Sequence, residues 1–294
     1  ERGVVIDEIK SYKDNPAEDI YDRLEEKLFA GHPLTNPILG SVKSVKEITS
    51  EELRRFVKEK FVPEAMAFTI VADIDEKRME AGLLKLVGKF FADFRPSGNG
   101  LVRPARVELC NVFDEMISRK THEANAVVGG YAPSLYEEKE RLATVLLSNI
   151  LAGPAMNSIL NSILREKHGW VYGVESSYTQ YADTGILAIS LGCEKENLDR
   201  CLAAIDKEIL KLQTQELTER KLNAAKKQLL GQLAISSDNG EAQCLSMGKS
   251  LLAYDKVWTG AETRSQIEGI TSGQIMEMAC RIFAPGKTSR LTMI

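Results

Sequence analysis

The chain has 294 residues, of which 44% are hydrophobic and 27% are charged, a composition that excludes disordered and collagen-like proteins. Its 38 basic and 42 acidic residues give a net charge of −4 without a long basic run. Nucleic-acid binding is therefore not expected, because phosphate recognition needs concentrated positive charge. No apolar stretch approaches the roughly 20 residues that cross a bilayer. The five cysteines are scattered without a CxxC pair, which favours reduced thiols and a cytoplasmic location.

The first part of the chain is predicted to be mostly helical. Apolar residues recur at helical spacing through residues 1–30, and Pro16 lies where a second helical segment can start. Residues 32–40 contain two prolines and are predicted to form a loop. A further amphipathic helix is predicted over 75–91.

The second part of the chain combines strands and helices. Strands are predicted over residues 107–113, 124–131, 172–178 and 186–192. Helices are predicted over 137–151, over 156–164 and over most of 197–252. Strands grouped with helices in this way predict an α+β fold in which a sheet is backed by helices on one face.

Two distant segments, 48–63 and 270–285, resemble each other and indicate an internal duplication. They share five identities over 16 positions at a constant separation of 222 residues. Each helix is predicted to begin with a capping box, formed by Thr49 with Glu52 and by Thr271 with Gln274. Each ends at a proline, and an apolar strand is predicted after it, at 67–72 and at 290–294.

The repeat predicts two homologous lobes, of which the first is incomplete. A Pro- and Gly-rich stretch marks a linker over 97–106, so the domains are expected at 1–96 and 107–294. Counting back 222 residues from the start of the second lobe places the start of the first lobe roughly 115 residues before Glu1. We therefore expect the chain to be the C-terminal part of one lobe followed by a complete second lobe.

Glu1 and Glu8 are the first candidate site residues. Seven helical residues at 100° each bring them within about 20° on one helix face. Two such carboxylates alone more often form a solvated charged surface. The run ERGVVIDEIKSYKDNP, with GHPLTNPILGSVKSVKEITSEELRRF after it, changes that assessment. It resembles the segment downstream of the catalytic helix in the pitrilysin/insulinase-type zinc peptidases, the inverzincin family that includes mitochondrial processing peptidases.

The resemblance implies a role for each carboxylate. In that family zinc is bound by both histidines of an H-x-x-E-H motif and by a later Glu, and another Glu seven residues before this ligand supports the site from outside. Glu8 would be the zinc ligand and Glu1 the outer carboxylate. Zn²⁺ accepts a carboxylate beside two imidazoles and leaves its fourth position to water, which the Glu of the motif would activate.

Arg165 and Tyr172 are the second pair of candidates. Residues 165–172, REKHGWVY, resemble a family element of the form LREKRGLAY. The resemblance implies that Arg165 holds a backbone carbonyl of the substrate and that Tyr172 donates a hydrogen bond to the developing oxyanion. Without the resemblance, an Arg near a helix end and a Tyr at the start of a strand would be ordinary.

The H-x-x-E-H motif itself is absent from the sequence. The three histidines are separated by 90 and 46 residues, which matches no short metal motif (His32, His122, His168). In the second lobe, Glu219-Arg220 matches Glu1-Arg2, and Lys226 then takes the place of Glu8, where a cation would repel zinc. Zn²⁺ is therefore expected in the full-length protein and not in this chain alone.

The expected function is that of a zinc-dependent endopeptidase acting on peptides or unfolded polypeptides through metal-activated water, with this chain alone inactive. An exposed sheet edge would hold the substrate as an added strand. A homodimer, or a heterodimer with a related subunit, is compatible with this function. The alternative is a non-catalytic partner subunit that binds substrate or has a structural role. A third possibility, a generic α+β binding domain, is disfavoured by the repeat.

Overall fold

The structure of the protein, a computed structural model, describes residues 1–62, 65–73, 75–90, 104–119 and 122–294. In chain order its helices are α1 (Arg2–Asp14), α2 (Pro16–Leu28), α3 (Val42–Glu47), α4 (Ser50–Lys60), α5 (Glu76–Phe90), α6 (Glu138–Ala152), α7 (Leu198–Thr214), α8 (Glu219–Ser237), α9 (Gly240–Tyr254), α10 (Gly260–Glu268) and α11 (Ser272–Phe283). Its strands are β1 (Asp114–Ile117), β2 (Glu123–Tyr131), β3 (Val171–Gln180), β4 (Gly185–Glu194) and β5 (Thr288–Met293). Among the described helices, none combines the length and the apolar character that a membrane span needs.

The strands form one five-stranded sheet in the order β1-β5-β2-β4-β3. Every neighbouring pair is antiparallel except β1 and β5, which are parallel. In the centre of the sheet, Val127 is paired with Ser190 on one side and with Leu291 on the other. Among the described strands, β3 is an edge of the sheet, a position at which one row of backbone groups has no neighbouring described strand.

Helix α2 packs against one face of this sheet. Its three buried apolar residues follow helical spacing and, together with Phe29 just after its end, pack with apolar side chains of β2, β4 and β5 (Ile20, Leu24, Leu28 and Phe29 with Val127, Ile186, Ala188, Leu291 and Met293). Each such side chain contributes about 1.5–3 kcal/mol when it is fully buried. Helix α2 therefore completes a core whose strands follow it by about 100 residues or more in the sequence.

Polar contacts fix both ends of α2. At its start, the Asn15 side chain accepts a hydrogen bond from the Ala17 amide, and Pro16 occupies the first helical position. At its end, the Asn111 side chain donates to the carbonyl of Leu28 at 3.0 Å, and the Tyr131 hydroxyl donates to the same carbonyl. These bonds satisfy carbonyls that a helix end leaves without intrahelical partners.

Helices α6, α7 and α11 lie on the opposite side of the sheet, where α11 contacts α6, α7 and β2. The approach of α11 is close at Gly130, because a β-carbon built there would lie 2.4 Å from the carbonyl oxygen of Ile282. The fold is thus mixed α and β with a sheet backed by helices, as predicted. The prediction did not foresee that α2 covers the second face.

The two repeated helices are present, and both capping boxes are confirmed. Their surroundings differ. Helix α11 buries five residues, including Ile275 and Ile282, whereas α4 buries none, and its Phe56 side chain is 53% exposed. The strand predicted at 290–294 is found as β5. The strand predicted at 67–72 is not formed in the described residues 65–73.

The described contacts divide the chain into two compact units that do not follow chain order. Unit 1 comprises residues 1–47, 103–229 and 266–294, and unit 2 comprises 48–102 and 230–265. Within unit 2, α9 contacts the extended segment 65–73. The Thr69 hydroxyl donates to the carbonyl of Cys244 at 3.0 Å, and the Cys244 thiol donates to the carbonyl of Thr69 at 3.3 Å.

Three element predictions need correction or qualification. The prediction of a strand at 107–113 is wrong, because the chain enters the sheet only at β1, directly after these residues. The helix predicted over 156–164 is replaced by a turn and by a π-helix at Asn161–Lys167. Most of the predicted linker lies outside the described residues, so the lobe boundaries at 1–96 and 107–294 stay a prediction.

Candidate active site

Glu1 and Glu8 both lie on α1, Glu1 as its N-cap residue, and both side chains are exposed. The helix is anchored by Ile9, which is 4% exposed, and by contacts with α2 and α3. Within the described ranges, no three His, Cys, Asp or Glu side chains are grouped so that they could hold a metal ion. A catalytic zinc needs three protein ligands, so this donor set does not fit a zinc ion by itself.

Arg165 lies in the π-helix Asn161–Lys167 and is exposed. The buried Leu164 anchors this segment, and the Trp170 amide donates to the carbonyl of Leu164 at 2.8 Å. Gly169 has φ +61°, a left-handed conformation that turns the chain from the π-helix into β3. π-Helical turns are rare and are frequently found at functional sites.

Tyr172 lies at the start of the edge strand β3, and its side chain is 56% exposed. Val171 is paired with Cys193 and Gly173 with Gly192, so Tyr172 is the extra residue of a β-bulge. A bulge turns a side chain out of the regular alternation of a strand. Arg165 and Tyr172 therefore stand at either end of one irregular segment that joins the π-helix to the sheet.

Tyr172 lines a cavity of about 380 Å³ on the α2 side of the sheet. The strands contribute Glu123, Asn125, Glu175 and Ser190, and α2 contributes Tyr21. The Tyr21 hydroxyl lies 2.5 Å from Oγ of Ser190 and 3.2 Å from Oε1 of Glu175. Of the four predicted site residues, Tyr172 lines this cavity, whereas Glu1, Glu8 and Arg165 do not.

The surroundings of the cavity raise the pKa of both phenols above the ordinary value of 10.0, so both are protonated at neutral pH, as an unperturbed phenol also is. Partial desolvation, followed by the carboxylates of Glu194 and Glu123, raises the pKa of Tyr172. Burial, to which the Glu175 carboxylate adds, raises the pKa of Tyr21 against the lowering effect of its hydrogen bond with Ser190. A protonated phenol can donate a hydrogen bond, which is the role that the sequence resemblance implied for Tyr172.

Sequence reasoning missed the residues around Tyr172. The alternation of Glu123 and Asn125 along β2 places them on one face of the sheet, but the sequence does not show which strand lies beside them. Tyr21 was equally hidden, because it belongs to a helix 150 residues upstream of Tyr172 that was not expected at this sheet. The pairing of the strands and the packing of α2 on the sheet together bring these groups around Tyr172.

A larger cavity, of about 740 Å³, lies within unit 2 and carries none of the predicted residues. Its walls are mainly apolar and include Leu230, Met247 and Trp258. Because it offers neither carboxylates nor phenols, the smaller cavity beside Tyr172 is the better candidate for chemistry.

The chain is similar in sequence to known proteins along almost its whole length. An uncharacterized zinc protease of Bacillus subtilis is 25% identical over 287 residues, which cover 96% of this chain and 67% of that protein. An uncharacterized zinc protease of Mycobacterium bovis is 27% identical over 282 residues, 95% of this chain and 63% of that protein. The chain thus spans about two thirds of the length of these relatives.

Two solved structures share the fold. The peptidase M16 inactive domain from Pseudomonas fluorescens superposes with a TM-score of 0.80 at 20% identity and covers 99% of this chain and 69% of its own. A protease from Helicobacter pylori gives a TM-score of 0.81 at 15% identity over 100% of this chain and 71% of its own. The family model described as the peptidase M16 inactive domain matches residues 47–229, more than half of the chain. The chain is therefore a member of the M16 peptidase family.

Proposed function

We propose that this chain is part of a zinc-dependent endopeptidase that cleaves peptides or unfolded polypeptides, and that it contributes substrate-binding groups to that enzyme. The observation that carries the proposal is the β-bulge at Tyr172, which exposes a protonated phenol on an edge strand, seven residues after Arg165. The relatives named as zinc proteases support the reaction class.

In this proposal, the chain's own residues bind and orient the peptide. The Arg165 guanidinium donates hydrogen bonds to a backbone carbonyl of the substrate. The Tyr172 hydroxyl donates to the oxygen of the scissile carbonyl as negative charge develops there. The unpaired edge of β3 offers backbone groups to an extended peptide beside both side chains. In the longer protein, Glu8 would supply one carboxylate ligand to zinc, and Glu1 would support that site from outside.

The test replaces single groups in the longer protein and measures zinc content and turnover separately. Tyr172→Phe should lower kcat by the equivalent of about 2–4 kcal/mol without loss of zinc, because the phenol acts mainly in the transition state. Glu8→Gln should instead reduce the bound zinc. Tyr178→Phe is a matched control on the same strand, since its hydroxyl donates to the carbonyl of Pro133 at 2.6 Å. Unchanged turnover in Tyr172→Phe would reject the assigned role.

A non-catalytic subunit that binds peptides is the second candidate. It is favoured by one observation, the description of the matching family model as an inactive domain. This candidate predicts that the longer protein binds a fluorescent unfolded peptide without cleaving it, and that Tyr172→Phe and Arg165→Ala weaken that binding. Cleavage that depends on Tyr172 would decide for the enzyme.

A further inference from the structure

Two carboxylates face each other at one end of the sheet. Glu123, the first residue of β2, is paired directly with Glu194, the last residue of β4. Directly opposed residues of an antiparallel pair have β-carbons about 4.5–5.5 Å apart, and like charges in this arrangement destabilise the sheet. The register thus brings two negative charges together at this end of the sheet.

The bulge brings Tyr172 to the same end of the sheet. Val171 is paired with Cys193, the neighbour of Glu194, so the bulged Tyr172 on the adjacent strand lies within two residues of the register position of Glu194. Glu123 and Tyr172 also line the same 380 Å³ cavity. Register and cavity thus place one phenol beside two carboxylates that come from two other strands.

The charged and titratable groups around this phenol are predominantly acidic. Besides Glu123, the cavity receives the Glu175 carboxylate from β3 and the Tyr21 phenol from α2, whereas Glu194 lies outside its lining. Among the described residues that line the cavity, none is a Lys, Arg or His. The Arg165 cation lies outside the lining, on the π-helix that contacts β3.

Building on the proposed function, we propose that Glu123 and Glu194 are positioning residues for Tyr172, whose hydroxyl they hold available as a hydrogen-bond donor. A nearby cation such as a guanidinium favours the ionised form of a phenol, and a phenolate would repel the oxyanion that Tyr172 is proposed to stabilise. Two adjacent carboxylates oppose that ionisation. They act through Tyr172 and need no contact with the substrate.

The first test follows the ionisation of Tyr172 itself. Tyrosines labelled with ¹³C at Cζ are titrated by NMR in this chain, and the Tyr172 signal is assigned by its loss in Tyr172→Phe. Glu123→Gln and Glu194→Gln should each move the Tyr172 midpoint to lower pH, and the double variant should move it further. Because all three side chains are exposed, 1 M salt should reduce these differences.

Two controls separate charge from folding. Glu196→Gln removes an equal charge from the exposed turn just after Glu194 and should leave the midpoint unchanged. Glu123→Asp and Glu194→Asp keep the charge and should keep the midpoint close to that of the wild-type chain, even where packing changes. A midpoint that is the same in the wild-type chain and in both Gln variants overturns the inference.

The second test measures kcat against pH in the longer protein. The alkaline limb should move to lower pH in Glu123→Gln and Glu194→Gln, in parallel with the NMR midpoints, while kcat near neutral pH changes little. If the NMR midpoint shifts but the alkaline limb of kcat does not, the carboxylates do act on Tyr172, and the proposed catalytic role of Tyr172 is contradicted instead. An unshifted midpoint contradicts the inference whatever the kinetics show.

Discussion

Asp19 shows how one carboxylate can hold the first helices in place. It is 5% exposed on α2 and is paired with Arg23 at 2.6 Å and with Arg119. Arg119 also donates to the carbonyl of Lys13 at 2.8 Å, at the end of α1. Because Arg119 belongs to the loop after β1, this cluster ties both N-terminal helices to the second half of the chain.

We expect Asp19→Ala to lower the free energy of unfolding of unit 1 by about 2–3 kcal/mol, since it leaves two guanidinium groups without their partner. The estimate lies below that for a fully buried pair because the Arg119 side chain remains 24% exposed. Urea denaturation monitored by hydrogen exchange in α2 measures the effect. Glu18→Ala, at the exposed neighbouring position, is the control, and an equal loss in both variants would contradict the role of Asp19.

Lys226 has a different role from the one that its sequence position suggested. The comparison of the repeats places it where Glu8 stands in the first lobe, and it was expected mainly to repel zinc. In the structure it is 9% exposed, and its ammonium group donates to the carbonyl of Glu268 at 2.7 Å. A cation at this position stabilises the C-terminal end of α10.

At the scale of elements, α10 begins with a charged capping box that can be compared with an uncharged one in the same chain. The Glu262 carboxylate accepts hydrogen bonds from the amide and hydroxyl of Thr259 and pairs with Lys256. These contacts, the Thr259 amide first, lower the pKa of Glu262 to about 2. The box of α11 uses Gln274 instead, which does not titrate.

We therefore predict that the start of α10 loosens in acid while the start of α11 does not. A carboxyl with a depressed pKa stabilises the fold above its ordinary pKa of 4.5, and this contribution is lost as the pH falls toward about 2. The protection of the Thr259 and Glu262 amides against exchange, measured relative to their intrinsic rates, should fall across this range, and that of the Thr271 and Gln274 amides should change much less. Glu262→Gln should remove the pH dependence; its persistence would contradict the assignment.

The elements also show how far the sequence could lead. Helical spacing, Pro16 and the capping boxes are local signals, and α1, α2, α4, α5 and α11 were predicted correctly from them. Helical spacing over 156–164 was misleading, because a π-helix forms there instead. The strand at 67–72 has the apolar composition of β5, but a strand also needs neighbours, and within the described residues none is paired with it. The π-helix and the bulge at Tyr172 depend on packing against β3 and β4. The resemblance could name Tyr172 as a candidate site residue, but it could not predict the carboxylates that surround it.

At the scale of the whole molecule, each compact unit combines early and late parts of the sequence. Helix α2 belongs to unit 1 together with β5, and α9 belongs to unit 2 together with the segment 65–73. In the predicted repeat, the pair α8 and α9 corresponds to the pair α1 and α2. Helix α2 of the first lobe thus belongs to the same unit as β5 of the second lobe, and α9 of the second lobe belongs to the same unit as the segment 65–73 of the first lobe. The homology of the two lobes remains a prediction, and superposition of 48–72 on 270–294 tests it.

Zinc binding also depends on the whole molecule, because the ligands expected for the metal are not all present in this chain. We predict that residues 1–294 alone bind zinc substoichiometrically and do not cleave a quenched fluorescent peptide, because one exposed carboxylate cannot provide three ligands. Elemental analysis after gel filtration and the peptide assay measure both quantities, with the longer protein as the positive control. Stoichiometric zinc together with turnover from this chain would contradict the prediction.

The packing of α2 also constrains how the chain can fold as it is synthesised. Leu24 and Leu28 leave the ribosome long before two of their core partners, Leu291 and Met293, are synthesised. At about 5–20 residues per second, α2 must wait on the order of 10–50 s before its full binding surface exists. During that interval its apolar face is open to solvent, so a nascent chain of this architecture depends on holdase chaperones more than one whose units close in the order of translation.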